Sequence, residues 1–277
     1  LDRGEDWWKW THGVPTCSVM DLVIHPDTHD LVLGTHGRSA IVLDDIGPLR
    51  SIDEEVMAKV LHLFDVPDAQ QYWVTQTAGE RFPGATEFRG ENRPYGALIS
   101  LVVNGDQLAH PDDEVEKDRR QAERAAPKSE DDAEDDAEDE RAKRSIAVEV
   151  EILDAAGETI REFESDVHLG LNRVVWNLRS DGFRRAPTSS EDDDWMGVGT
   201  GPEVLPGTYT VVVRFGDEEA RRSFDVLADP RVTFTTADRR ANWDARQRAG
   251  ALQDVLAEAL QRIVDARADA DDVMARI

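Results

Sequence analysis

The sequence has very little cysteine and lysine and no long apolar run. These shortages bear on disulfide bonds, membrane spans and nucleic-acid partners. Cys17 is the only cysteine, so a disulfide bond within the chain is excluded. No apolar run approaches the roughly 20 residues of a membrane-spanning helix, so no membrane span is predicted. Only 5 of the 32 basic residues are lysine, and 58 acidic residues leave a formal net charge of −26. Nucleic acid is therefore disfavoured as a partner, because phosphate binding needs a basic face.

The negative charge is spread over the whole chain. Residues 105–145 contain 16 acidic and 8 basic residues, and the remainder still carries a net charge of −18. Such a surface repels itself in dilute buffer and is screened in brine, where the Debye length falls to ~3 Å at 1 M salt. We therefore predict adaptation to high salt, of the kind found in haloarchaea. An acidic surface that attracts a basic partner is the alternative. The compartment stays open, with an extracytoplasmic location favoured.

Motifs that would indicate a cofactor or a metal are also missing. The sequence has no HExxH motif, no pair of cysteines and no glycine-rich phosphate loop, so no cofactor and no metal site are predicted. Three histidines lie close together with two aspartates, but their spacing matches no zinc pattern. We interpret them as turn residues: His25, Asp27, His29, Asp30 and His36.

No catalytic residue is predicted either. Glycoside hydrolysis needs two carboxylates about 5–9.5 Å apart across the scissile bond. Asp44 and Asp45 are neighbours, and on a strand neighbouring side chains point to opposite faces. They are therefore poor candidates for a catalytic pair.

The first 64 residues predict short strands joined by tight turns. Residues 20–25, 31–35 and 40–44 are apolar runs separated by polar turns, which is typical of an antiparallel meander. One such meander is too small to be stable alone and fits a blade of a larger radial sheet. Residues 65–95, rich in glycine, proline and charge, predict a linker.

Residues 96–229 predict a β-sandwich, with Trp176 as a core residue and Tyr209 tying its strand to a neighbouring strand through its hydroxyl, as in a tyrosine corner. The insert at 105–145 is predicted to be disordered, because nine of the eleven residues from Glu130 to Glu140 are acidic. A solvated loop is favoured there over a site for Ca²⁺ or for a basic tail. Residues 230–277 predict a helical tail, with Thr236 as its N-cap.

Two N-terminal segments resemble a known family. Residues 2–7 are similar to the end of an Asp-box, S-x-D-x-G-x-x-W, in which Asp2, Gly4 and Trp7 would have structural roles. Residues 21–45, DLVIHPDTHDLVLGTHGRSAIVLDD, resemble the closing blade of BNR-repeat, sortilin-type β-propellers often labelled glycosyl hydrolases. Ser39 replaces the glycine expected in that turn.

A third segment, residues 148–215, resembles the immunoglobulin-like domain of the flagellar hook-capping protein. Its pattern is D-x-x-G, R, G-x-N-x-x-W-x-L and P-G-x-Y in that order. The matching residues are Asp154, Gly157, Arg161, Gly170, Asn172, Trp176, Leu178, Pro206, Gly207 and Tyr209.

The resemblance implies a mainly β fold: the last blade of a partial β-propeller, then an immunoglobulin-like sandwich and a helical tail. It implies that the chain starts inside a motif, so the missing upstream blades are its first partner. We expect a non-catalytic supporting or binding region. The alternative is part of a glycoside hydrolase, similar to sialidases or xyloglucanases, whose catalytic carboxylates lie upstream.

The candidate ligand-binding residues are His36 and Arg38. A turn flanked by glycine could present Arg38 to a carboxylate or a phosphate in bidentate fashion, and the candidate ligands are a glycan or a protein. The alternative is that Arg38 pairs with Asp44 or Asp45 within the same sheet.

Overall fold

The structure is a computed structural model that describes residue 7 and residues 13–73, 92–125, 146–184 and 200–275. In these residues the fold is mainly β, with three sheets and a long C-terminal helix. The strands are β1 Val19–Ile24, β2 Leu31–Thr35, β3 Ala40–Leu43, β4 Leu61–Leu63, β5 Ala69–Gln70, β6 Ala97–Val103, β7 Ala147–Leu153, β8 Thr159–Asp166, β9 Gly170–Trp176, β10 Gly207–Phe215 and β11 Glu218–Leu227. The helices are α1 Gly47–Ser51, α2 Glu54–Met57, α3 Asp113–Ala125 and α4 Thr236–Ala275.

The N-terminal sheet consists of β1, β2 and β3 in that order. Both strand pairs are antiparallel, so the predicted meander is confirmed. All six residues of β1 are exposed, whereas Leu33 in the middle strand is buried. The sheet therefore has little core of its own.

The other two sheets face each other across one apolar core. The five-stranded sheet has the order β5-β11-β10-β7-β8, and the three-stranded core sheet has the order β4-β6-β9. All seven residues of β6 are buried, as expected for the central strand of a covered sheet. In β9, buried residues alternate with more exposed ones, the period of two that leaves one face to solvent.

The predicted core residues Trp176 and Tyr209 occupy the centre. Trp176 is 1% exposed, and its ring centroid lies 5.4 Å from that of Tyr209. The Tyr209 hydroxyl donates a hydrogen bond of 2.7 Å to the carbonyl of Leu205, so it ties β10 to the segment just before it and not to a neighbouring strand. Burial raises the pKa of Tyr209 to about 12, so this hydroxyl stays protonated and remains a donor.

The core begins earlier in the chain than the sequence suggests. Residues 61–63, predicted to end the N-terminal region, form β4 and pair with β6, with Leu61 opposite Val103. Residues 69–70, predicted to belong to a linker, form β5 and pair in parallel with β11. Leu63 is 1% exposed and Ala69 is 2% exposed, so burial of these small apolar residues draws the segment into the core.

The prediction of disorder over 105–145 is wrong for the first part of that insert. Leu108 is fully buried, and residues 113–125 form α3. Acidic residues fill the first turn of α3, where the helix macrodipole favours them. Glu116 accepts hydrogen bonds from the backbone N–H of His110 and from Arg120. Residues 126–145, with the acidic run, lie outside the described residues.

Helix α4 has 40 residues, and its N-cap is Thr235 rather than Thr236. The Thr235 hydroxyl accepts a hydrogen bond from the N–H of Asp238, whose carboxylate accepts the N–H of Thr235 in return. Gly250 and Ala257 are buried on the face that packs on the body. Most other large apolar residues of α4 recur at helical spacing but are exposed: Leu252, Val255, Leu256, Leu260, Ile263, Val264, Val273 and Met274. Among the described residues, no helix is long and apolar enough to cross a membrane.

Candidate ligand-binding cleft

The predicted ligand residues His36 and Arg38 lie in the exposed turn between β2 and β3. Within the described parts of the chain, neither side chain has a hydrogen-bond or ion-pair partner. Ser39 adopts a φ of 60°, the left-handed conformation for which the expected glycine is better suited. Ser39 thus takes the backbone conformation at the position where the family pattern has glycine.

The alternative pairing of Arg38 with Asp44 or Asp45 is not seen among the described residues. The Asp45 carboxylate instead accepts the backbone N–H of Gly47 at 3.0 Å. The carbonyl oxygens of Asp44 and Asp45 each accept a hydrogen bond of 2.8 Å from the guanidinium of Arg173 in β9. These carbonyls therefore connect the N-terminal sheet to the core.

The predicted turn residues around His25 form a local network. The Nδ1 atom of His25 accepts the N–H of Thr28 at 3.2 Å. Burial alone raises the pKa of Asp30, but hydrogen bonds from the Asp45 N–H and the Thr28 hydroxyl outweigh it and lower that pKa. Asp30 also pairs with Arg93 at 3.2 Å, a second link between the N-terminal sheet and the core. In the described ranges, no group of three or more His, Cys, Asp or Glu is placed to hold a metal ion.

The Asp-box is only partly described. Asp2 and Gly4 lie outside the described residues. The side chain of Trp7 is 89% exposed, whereas the tryptophan of such a turn is expected to pack between strands. The Asp-box therefore stays a prediction.

An open cleft of about 550 Å³ lies beside the start of α4, and we call it the α4 cleft. Its walls come from separate parts of the chain: the residues after β5, Tyr95, the ends of the loop between β9 and β10, the segment after β11, and the first turns of α4. Their convergence at one edge of the facing sheets creates a concave surface large enough for a small organic ligand.

The floor of the α4 cleft is held by internal hydrogen bonds. Gln71 is 5% exposed and donates to the carbonyl of Val204 at 2.7 Å. The buried Asp229 accepts the N–H of Trp73 at 2.9 Å and forms an ion pair of 2.8 Å with Arg231. The hydrogen bonds from Arg231, together with the Trp73 N–H, hold the pKa of Asp229 well below its usual range. The floor is thus preformed, and its one buried charge is neutralised.

One side of the α4 cleft is aromatic. The rings of Tyr72 and Tyr95 meet edge to face with centroids 4.9 Å apart. The Tyr95 hydroxyl donates to the carboxylate of Glu203. Burial, and then this carboxylate, raise the pKa of Tyr95 far above its usual value, so the hydroxyl remains protonated and fixed. Trp73 extends this side, with 70% of its surface exposed.

The opposite side is formed by α4 and the segment before it. Arg239, Trp243 and Arg246 are spaced by four and three residues, so they share one face of the helix and line the cleft. Phe234 lies at the rim and is 64% exposed. Arg239 is half-buried, and among the described residues neither Arg239 nor Arg246 has an ion-pair or hydrogen-bond partner for its side chain.

Sequence reasoning does not find this cleft, since Tyr72, Trp73 and Tyr95 fall in the predicted linker. The available signal is their aromatic character, because only 6% of the chain is aromatic. A linker has no need of three large aromatic residues near its two ends.

Comparison with known proteins supplies no relative from which a role could be transferred. No family model matches this chain, and no curated protein and no solved structure matches it either.

Proposed function

We propose that this chain is a non-catalytic supporting and binding region of a BNR-type β-propeller protein that works at high salt. In this proposal the N-terminal sheet belongs to the last blade. The two facing sheets form an immunoglobulin-like sandwich that supports this blade, and α4 completes the region.

The observation that carries the proposal is the apolar surface of β1. Leu22 and Val23 are each 60% exposed, and because side chains alternate along a strand they lie on opposite faces of the sheet. Exposed apolar surface of this kind marks an interaction site. A propeller blade packs between two neighbouring blades, so it needs both faces apolar. An edge of an ordinary two-layer domain would need only one.

The core residues support the sandwich part of the proposal. Immunoglobulin-like sandwiches have a buried tryptophan and a tyrosine whose hydroxyl bonds to the backbone a few residues upstream. Trp176 is buried, and the Tyr209 hydroxyl reaches the carbonyl four residues before it. The hydrogen bonds from Arg173 to the end of β3 would then support the blade from the sandwich.

Hydrogen–deuterium exchange tests the proposal. The chain is compared with a longer polypeptide that carries the proposed neighbouring blades before Leu1. If neighbouring blades cover β1, we expect its amides to exchange at least about tenfold more slowly in the longer polypeptide. The amides of β6, already buried, are the internal control. Equal exchange of β1 in both polypeptides would show that no blade covers it.

The non-catalytic part is tested separately. The purified chain is incubated in molar KCl with a panel of neutral and acidic polysaccharides, and new reducing ends are counted. We expect none above the rate of a heat-denatured sample. Release of sugar by the chain alone would instead support the glycoside hydrolase alternative.

A further inference from the structure

We infer that the α4 cleft is a binding site for a short acidic oligosaccharide, one whose sugar units carry carboxylates. This inference does not rest on the propeller proposal, because every residue that it uses lies in the facing sheets, their connections or α4.

The first argument is charge. The whole chain has a net charge of −26, yet the α4 face of the cleft presents Arg239 and Arg246 without a partner among the described residues. Of the three arginines that line the cleft, Arg179 donates to the carbonyl of Gly201, so Arg239 and Arg246 are the two whose guanidinium groups are left for a ligand. A guanidinium holds a carboxylate through two parallel hydrogen bonds, which retain geometric specificity where salt screens simple attraction.

The second argument is the state of the acidic groups nearby. Asp229 is neutralised by Arg231, and the carboxylate of Asp238 is occupied by the N–H and hydroxyl of Thr235. Glu203 is the remaining lining carboxylate, and it accepts the Tyr95 hydroxyl on the far wall. Asp238 and Glu203 keep their charges, but the three lining carboxylates are matched by the three lining guanidinium groups, so the cleft lacks the excess negative charge of the rest of the chain. Glu203 can also accept a sugar hydroxyl.

The third argument is the aromatic rim. Trp73 and Phe234 expose 70% and 64% of their surfaces at the mouth of the cleft, and the ring of Trp243 lies in its wall. A pyranose ring presents an apolar face of C–H groups that packs on a flat aromatic ring. Arginines beside aromatic faces therefore match a ligand that alternates carboxylates with apolar ring faces.

The fourth argument is size and polarity. A cavity of about 550 Å³ exceeds what a single ion needs and falls within the range of sites for small organic molecules. An acidic peptide has the right charge, but it also brings backbone amides that each need a partner. The floor offers few, because Gln71 and Asp229 are already hydrogen-bonded within the protein. Sugar hydroxyls can remain solvated at the open mouth.

The test uses the intact chain in molar KCl, with tryptophan fluorescence and calorimetry as readouts. The probes are trigalacturonic acid, its fully methyl-esterified form, and triglutamate. We expect saturable binding of trigalacturonic acid with a change in tryptophan emission. The ester, which keeps the sugar rings but lacks the charges, is expected to bind at least about tenfold more weakly.

Variants locate the site. The double substitution Arg239→Gln and Arg246→Gln is expected to weaken binding of trigalacturonic acid by at least about tenfold, and Phe234→Ala by a smaller factor. Arg248→Gln, at an exposed position of α4 outside the cleft, is the matched control and should bind like the parent chain. Circular dichroism confirms that α4 is retained in each variant.

Three outcomes would overturn the inference. They are equal binding of the acid and its ester, tighter binding of triglutamate than of the saccharide, and absence of any saturable binding by the folded chain. Unchanged affinity in the double variant would also overturn it, because binding would then lie elsewhere.

Discussion

Arg173 shows how a single side chain connects two parts of this molecule. Its guanidinium donates to the carbonyls of Asp44 and Asp45 at 2.8 Å each, while its Nε atom bonds to Ser100 within the core sheet. The sequence does not predict this contact, because Arg173 is 128 positions from Asp45 and nothing local marks the pairing. Trp176 and Tyr209 could be predicted as core residues, since their roles follow from the strands that contain them.

Replacing Arg173 with alanine should therefore loosen the N-terminal sheet specifically. Loss of two charge-assisted hydrogen bonds is expected to lower the free energy of opening of β2 and β3 by about 1–2 kcal/mol. Native-state hydrogen exchange measures this, and the exchange of β10, which lies in the other sheet, should hardly change. Arg221→Ala is the matched control, since Arg221 bonds to Glu219 on its own strand. Equal effects of the two substitutions would contradict a joining role for Arg173.

At the scale of elements, the strands could be predicted well and their partners poorly. Short apolar runs and turn residues locate β1, β2 and β3 to within a few residues. Residues 59–64 favour a short edge strand, but β5 is only two residues long, too short for a periodic signal. The membership of β4 and β5 in the core depends on partners 38 or more positions away. The sequence does not predict α3, because the acidic composition of residues 105–145 indicates disorder. The acidic residues in the first turn of α3 nevertheless favour a helix.

The docking of α4 depends on Gly250. A Cβ atom there would lie 2.1 Å from the ring of Phe183, far inside van der Waals contact. Two hydrogen bonds flank this contact: the N–H of Arg184 to Asp254, and Gln253 to the carbonyl of Arg184. The glycine is therefore explained by close packing and not by its backbone conformation.

This packing predicts that Gly250→Ala destabilises the protein, although the same substitution stabilises an isolated helix. Gly250→Ala would stabilise an isolated helix by about 1 kcal/mol, but here the clash with Phe183 should destabilise the protein by about 1–3 kcal/mol. In a Phe183→Ala background, the same substitution should be stabilising. Chemical denaturation of the parent chain, the two single variants and the double variant in molar KCl measures both effects. A stabilising Gly250→Ala in the parent chain would show that Phe183 does not pack there.

At the scale of the whole molecule, the sequence predicts the fold class and a dependence on salt, but it does not predict the α4 cleft. The mainly β fold with a helical C-terminal region is confirmed, and the salt adaptation stays a prediction. The α4 cleft could not be predicted, because it forms only when Tyr95, Glu203 and Arg239 converge from distant segments. The sequence motif predicts His36 and Arg38 as ligand-binding residues, and the structure places both in an exposed turn.

The net charge of −26 predicts strong dependence on salt. Raising KCl from about 0.2 M to about 3 M shortens the Debye length and should raise the melting temperature by about 10 °C. Sucrose strengthens apolar burial without screening charge and is the control, for which a smaller rise is expected. A melting temperature that stayed flat or fell with KCl would contradict salt adaptation.

The 40 residues of α4 form a rod about 60 Å long, but its last buried residue is Ala257. The 18 residues beyond it extend for about 27 Å at the standard rise. A rotation of about 10° at the contact between Gly250 and Phe183, about 37 Å from Ala275, would displace the far end by about 6–7 Å. Such a rotation would make α4 a lever whose pivot lies about one turn from Arg246 and about three turns from Arg239. If a ligand bound to Arg239 and Arg246 rotated α4, the C-terminal end of the helix would move by that distance.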